Sequence, residues 1–181
     1  YDCCPFSDGA SSVVLCSEKF AKAHGGDYVE VIGSGRGGSP AALQGREHMT
    51  TIPSTKIAAK AAYDMAGITA RDIDFAEVHD CFTIAEVVDT EDLGFFAKGQ
   101  GIQAIREDRT KLNSDISINP SGGLKSKGHP IGATGVGQVV EVFDQLTGKA
   151  GARTVKDAKI VLTHNFGATG ASCAVHVFQS V

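Results

Sequence analysis

Glycine in this chain is gathered into short clusters, and between the clusters the apolar residues switch between a two-residue and a three-to-four-residue spacing. Such clusters mark backbone that turns at positive φ or passes close to another group. The segments between them then have to be short strands and helices. Ser11 to Leu15, small and β-branched, reads as a buried strand, and Glu18 to His24 as a short helix ended by Gly25-Gly26. Tyr28 to Ile32 reads as a second strand running into the glycine-rich stretch Gly33 to Gly38, which is expected to be a flexible surface loop around Arg36. Pro53-Ser54-Thr55 opens a helix in which Ile57, Ala58, Ala61, Ala62 and Met65 recur at helical spacing until Gly67. A strand from Ile73 to Val78 and a helix from Thr83 to Leu93 follow, then a helix from Gly132 to Leu146 with Val136, Val139, Val140 and Phe143 on one side. Lys159 to Thr163 and Ala171 to Phe178 close the chain as two strands joined by a glycine-bearing turn. Strands alternating with helices predict an α/β fold, with a mixed five-stranded sheet and helices on both faces.

Composition narrows the class. A length of 181 residues with 42% hydrophobic and 21% charged residues suits one ordinary globular domain. A net charge of −4 gives no reason to expect nucleic acid or an anionic membrane as partner. No apolar run approaches the ~20 residues a membrane span needs, and nothing near Tyr1 resembles a signal peptide, so a cytoplasmic enzyme is expected. The start at Tyr1 instead of Met suggests a processed or truncated chain. Cys3, Cys4, Cys16, Cys81 and Cys173 are odd in number and lack framework or CxxC spacing, which favours reduced thiols and no metal site.

Three loops carry the polar residues such a sheet would bring together. One is Val78-His79-Asp80-Cys81-Phe82, at a junction of strand and helix. The second is Asn119-Pro120-Ser121-Gly122-Gly123, followed by Gly128-His129-Pro130-Ile131-Gly132-Ala133-Thr134-Gly135 at the head of a long helix. The third, His164 to Gly170, lies between the last two strands. Open α/β sheets bind ligands beyond the strand ends, where loops converge and helix N-termini offer donors.

Gly128-His129-Pro130-Ile131-Gly132-Ala133-Thr134-Gly135, coming after Asn119 to Gly123, resembles the GHPxGATG signature of thiolases. Ser7-Asp8-Gly9-Ala10 resembles the segment that closes the N-terminal half of that family. The resemblance implies a thiolase fold of two duplicated α/β halves: residues 1–26 would be the last strand and helix of the first half, and residues 27–181 the C-terminal thiolase domain. His79-Asp80-Cys81-Phe82 replaces the NEAF motif of many thiolases, and His164-Asn165-Phe166-Gly167 replaces their late CxG cysteine. Both changes, with Phe95 to Gly101 as an insertion, are similar to the sterol-carrier-protein type of thiolase and its bacterial and archaeal relatives.

That resemblance implies roles for named residues. His129 would activate the nucleophile and donate to the thioester oxygen; from spacing alone it is as readily a loop histidine beside a proline. Cys81 would be the acid/base at Cα, its thiol lowered from ~8.5 by imidazoles or a helix N-terminus, against the alternative of a buried inert cysteine. His79 would hold an oxyanion-hole water through an imidazole N–H, or merely pack at a strand end. Gly167 would offer a backbone N–H to a second oxyanion site, or form a plain turn. His164 and Asn165 are neighbours whose roles the sequence does not separate, while Asn119 and Ser121 would brace the loops. Cys3 and Cys4 are read as structural, since the family's nucleophile lies far upstream.

The implied activity is thiolysis or Claisen condensation of acyl-CoA thioesters, as in acetyl-CoA acetyltransferase or 3-ketoacyl-CoA thiolase. Coenzyme A would be substrate, with no tightly bound cofactor. Two alternatives are a thiolase-like lipid-transfer or retro-aldolase protein and a non-catalytic acyl-CoA-binding scaffold. The implied partners are the missing N-terminal half, a second copy in a homodimer and a small OB-fold protein; a eukaryotic source would imply the peroxisome.

Overall fold

A computed structural model describes residues 2–181. Its strands are β1 (Val29–Gly38), β2 (Phe75–Glu77), β3 (Ser117–Ile118), β4 (Ile160–Gly167) and β5 (Ser172–Ser180). Its helices are α1 (Glu18–His24), α2 (Pro53–Ala66), α3 (Thr83–Asp92), α4 (Gly101–Arg106), α5 (Gly123–Lys127) and α6 (Thr134–Leu146). The strands form one mixed sheet in the order β1-β5-β4-β2-β3. β2 runs parallel to β3 and β4, whereas β5 is antiparallel to both β4 and β1.

Each face of the sheet buries its own apolar layer. On one face Ala76, Val78, Leu162, Val175 and Val177 pack with Ala58, Ala59 and Ala62 of α2 and with Leu93, Phe96 and Ala104. On the other, Phe75, Val161 and Phe178 pack with Val142 of α6. The two-residue alternation of β2 and β4 supplies both layers from single strands. α2 starts with Pro53 at its first turn and ends where Gly67 takes a left-handed φ of 69°, the proline-to-glycine asymmetry its sequence displays.

Gly33 to Gly38 is not a loop. It is the second half of β1, paired with β5 from Gly33↔Val177 to Gly38↔Ser172. Gly33, Gly35 and Gly37 all face α2, where a Cβ on any of them would come closer than 3.0 Å to the carbonyl oxygen of Ala62, Ala58 or Ser54 respectively. Two strand residues advance about 6.6 Å and four helical residues about 6 Å. The two repeats therefore stay in step for three contacts, and helix backbone lies directly on strand backbone. Arg36 projects from the opposite, exposed side of this strand.

The expected strand over Ser11 to Leu15 is also absent. These residues belong to no helix or strand, and Val14 and Leu15 are 89% and 80% exposed. A strand requires a neighbour to take its N–H and C=O groups, and no described strand lies beside this stretch. With α1, Val29, Val31, Val140 and Phe143 it lines an open groove of about 720 Å³. No helix of the described residues is long and apolar enough to cross a membrane.

Candidate active site

The parallel strands β2 and β3 end together, which brings His79 and Asn119 to one edge of the sheet alongside Asn165 of β4. Asn119, held at a left-handed φ of 50°, takes the Val78 N–H on its Oδ1 at 2.7 Å and donates its own main-chain N–H to Ala76 at 2.8 Å. It thereby fixes the strand end from which His79 projects. Its amide nitrogen donates to Glu86 Oε2 at 3.2 Å. Ser121 donates to the wholly buried Glu77 carboxylate through both its N–H (3.0 Å) and its hydroxyl (2.6 Å). Asp80 accepts the Leu124 and Lys125 N–H groups at 2.7 and 3.2 Å. The loop of His79 is in this way tied to the N-terminus of α5, and through α5 to the turn that carries His129.

His79 and His129 meet edge to face with ring centroids 5.0 Å apart. His79 Nδ1 bonds Asn165 Oδ1 at 2.8 Å, and His129 Nδ1 bonds the Thr134 hydroxyl at 2.7 Å. Thr134 spends its own hydrogen on Pro130 O at 3.2 Å, so His129 Nδ1 is the donor of that pair and its Nε2 carries the lone pair. Burial holds both imidazoles below their ordinary value; the Asn165 hydrogen bond opposes this at His79 and Asp80 opposes it at His129. Both rings are thus neutral at pH 7, a form able to accept a proton.

Cys81 stands two residues beyond His79, its N–H bonded to His79 O at 2.9 Å. Its thiol is not lowered. Burial, followed by the Asp89 charge and Cys4, pushes it up to about 12, outweighing the backbone hydrogen bonds at the approach to α3. The expected depression by imidazoles or by the helix end does not arise: both site rings are neutral, and the groups that act on the thiol by charge, Asp89 and Cys4, are acidic.

His164 is separated from its neighbour. Asn165 faces α6 and His79, whereas His164, wholly buried, turns to the α2 side. There its Nε2 lies 2.9 Å from Thr55 Oγ1 and its Nδ1 lies 3.6 Å from Asp89. Burial, followed by His79, drives this ring down to about 3, on the face of the strand opposite Asn165. Only residues 168–171 form the turn after β4; His164 to Gly167 are strand. Gly167, paired with Ser172, ends β4 two residues beyond Asn165 and accepts the Gly170 N–H at 3.0 Å.

Three participants escape sequence reasoning. The segment Cys4 to Phe6 crosses between the two loops: Cys4 N–H donates to Cys81 O and His129 N–H to Pro5 O, each at 2.9 Å. Glu86, raised by burial to about 7, titrates near neutrality beside Asn119. Gln138, wholly buried in α6, contacts Asn165. Its helical spacing from Thr134 and Val142 was the only available signal. Among the described residues no group of three or more His, Cys, Asp or Glu is placed to hold a metal ion.

The thiolase C-terminal domain-like family matches residues 35–180, which include every loop described above. The chain belongs to this family. The thiolase chain is 48% identical over 178 residues to acetyl-CoA acetyltransferase of Methanothermobacter thermautotrophicus, covering 98% of this chain and 46% of the relative. It is 40% identical over 186 residues to sterol carrier protein 2 of Homo sapiens, covering 93% of this chain and 32% of that protein. This thiolase chain therefore spans about half or less of the length of these relatives. Among solved structures it shares its fold with a chain of an Ltp2-ChsH2(DUF35) aldolase, at a TM-score of 0.77 and 20% identity, over 85% of this chain and 40% of that one.

Proposed function

We propose that this chain provides the acid/base and oxyanion side of a thiolase-type acyltransferase that acts on acyl-CoA thioesters. One observation carries the reading: His79 and His129 lie 5.0 Å apart, each with Nδ1 tied back to protein, on loops that also bear Cys81. The nucleophilic cysteine comes from a preceding thiolase half that is not among these residues. In thiolysis that cysteine passes its proton to His129 Nε2, and the thiolate adds to the 3-keto carbonyl of the substrate. The resulting oxyanion falls to the main-chain donors of the second oxyanion site, while the thioester oxygen, which gains charge as the enolate forms, is held by the new Nε2–H and by a donor held at His79.

The tetrahedral adduct collapses with cleavage of the Cα–Cβ bond. The Cα carbanion, as its enolate, takes the thiol proton of Cys81 and leaves as acetyl-CoA. Incoming coenzyme A then gives its thiol proton to the Cys81 thiolate and attacks the acyl-enzyme, breaking the acyl–sulfur bond; the released cysteine thiolate takes back its proton from His129 Nε2. A thiol pushed up to about 12 fits this direction, since it reaches the carbanion still protonated. Gly167 adds a main-chain donor to the second oxyanion site.

The test is thiolysis of acetoacetyl-CoA by coenzyme A, run with this chain alone and with the preceding half supplied. The chain alone is expected to be inert, and the completed protein to turn over and to lose activity in H129A and C81A. Cleavage of a β-hydroxyacyl-CoA with no thiolysis would replace this reading with the retro-aldolase one. Tight acyl-CoA binding without either reaction would leave a scaffold.

A further inference from the structure

Gln138 acts on the site histidines only through Asn165. It lies in the middle of α6, wholly buried, with Nε2 3.3 Å from the carbonyl oxygen of Val78 and 3.3 Å from that of His164. Carbonyl oxygens only accept, so the side-chain amide has a single workable orientation: its NH2 faces the two carbonyls and its Oε1 faces away. Oε1 accepts from Asn165 Nδ2. That contact in turn leaves Asn165 Oδ1 for His79 Nδ1, at 2.8 Å. Since Oδ1 also only accepts, Nδ1 must carry the hydrogen. The orientation of each amide is therefore set by the one before it, and the sequence starts at main-chain oxygens that cannot change role.

We infer that Gln138 is a positioning residue which, through Asn165, holds His79 in its Nδ1–H tautomer and so presents Nε2 to the substrate space as a hydrogen-bond acceptor. The expectation from the sequence is that His79 holds an oxyanion-hole water through an imidazole N–H; on this inference the N–H bonded to Asn165 leaves Nε2, as an acceptor, to hold it. A neutral His79 can still serve the oxyanion by holding a water, which donates one O–H to Nε2 and directs the other at the thioester oxygen. No proton changes owner in that arrangement. The catalytic consequence rests on the thiolase reading above; the tautomer does not.

Asn165 shows why the relay needs both amides. Its Nδ2 and Oδ1 face opposite partners, so without Gln138 Oε1 nothing fixes which end meets His79. An inverted Asn165 would aim NH2 at Nδ1, which favours the Nε2–H ring.

The experiment is a long-range proton–nitrogen correlation spectrum of the chain labelled with 15N-histidine at neutral pH, with His79 assigned through H79Q. The wild type is expected to show a protonated Nδ1 and an unprotonated Nε2. Q138M should move His79 toward the Nε2–H form, whereas Q138E, which still offers an acceptor to Asn165, should keep the wild-type pattern. The double variant N165D/Q138M should restore Nδ1–H, because a carboxylate accepts from that nitrogen in either orientation. A wild-type His79 with hydrogen on Nε2 would overturn the inference before any variant is made. An unchanged spectrum in Q138M would overturn it as well. If Q138M does not fold, N165S takes its place, with the same shift expected and the same unchanged spectrum fatal. In the completed protein, Q138M should lower kcat/KM for thiolysis about tenfold, the loss of one well-placed hydrogen bond, and Q138E should recover most of it. A completed protein with no thiolysis but a wild-type Nδ1–H spectrum would retire the thiolase reading and leave the relay standing.

Discussion

Gly35 of β1 lies so close to Ala58 of α2 that a methyl group on it would come within 3.0 Å of the Ala58 carbonyl oxygen. That oxygen belongs to helix backbone and cannot swing aside, so G35A must push α2 off the sheet. We expect it to destabilise the fold by about 1–3 kcal/mol or more, the usual cost of overpacking a close contact. G38A is the matched control: it lies in the same strand, but its Cβ would meet its nearest neighbour at 3.9 Å. Urea denaturation of the two variants checks the contrast, and equal losses would contradict the packing argument.

Glu86 supplies a pH dependence. Burial raises its carboxyl from 4.5 to about 7, so between those values the folded chain holds a proton that the unfolded chain has released. Stability must then fall as pH rises through that window. In E86Q this fall disappears. The stability difference between E86Q and wild type should be smallest near pH 4, grow up to pH 7 and then level off. His164, driven from 6.5 down to about 3, adds an opposite rise between those values, which is common to both proteins and cancels in the difference. Parallel denaturation curves from pH 4 to pH 8 would contradict the assignment.

Cys81 should be slow toward alkylating reagents despite its place in the site. Only the thiolate reacts, and this thiol is pushed up to about 12, as is that of buried Cys173. Mass-spectrometric mapping after brief iodoacetamide treatment at pH 8 should find exposed Cys3 and Cys16 modified first. Cys81 should lag by at least about tenfold. Labelling of Cys81 as fast as Cys16 would mean that a positive group stabilises its thiolate.

Thr134 is the acceptor that fixes the ring of His129. T134V keeps the volume but removes that acceptor, and the neutral ring is then free to place its hydrogen on Nε2, where it cannot receive the nucleophile's proton. With the preceding half supplied, kcat/KM for thiolysis should fall about tenfold or more, with an unchanged circular-dichroism spectrum. Full activity in T134V would show that the ring is held by something else.

What could be read from the chain follows the physics of each element. α2 was legible because Pro53, the alanine spacing and Gly67 all point to the same helix. β5 and α6 were legible because their apolar residues keep one period. Gly33 to Gly38 misled because glycine argues against strand locally, and the reason for it here is the backbone of another element. Ser11 to Leu15 misled in the opposite sense: strand-like residues stay unpaired when nothing lies beside them. β3 and α4, at two and six residues, are too short to display any period.

Within the candidate site, motif order singled out His79, Cys81 and His129, and the structure sets the two rings side by side, but neither a tautomer nor the state of a thiol is written in a motif. Gln138 stayed hidden because a polar residue in an amphipathic helix reads as solvent-facing. His164 and Asn165 could be told apart only once the strand had faces.

That last distinction exposes an unusual kind of fragility. β4 delivers Asn165 to one side and His164 to the other, and its ladders with β2 and β5 decide which goes where. A single-residue insertion or deletion upstream of His164 in this strand would exchange them. An insertion would seat an ionisable ring against Gln138 and a deletion would strand an amide beside Asp89, with every motif still intact in the sequence. For this chain, strand alignment is as much a determinant of the candidate site as the identity of any histidine.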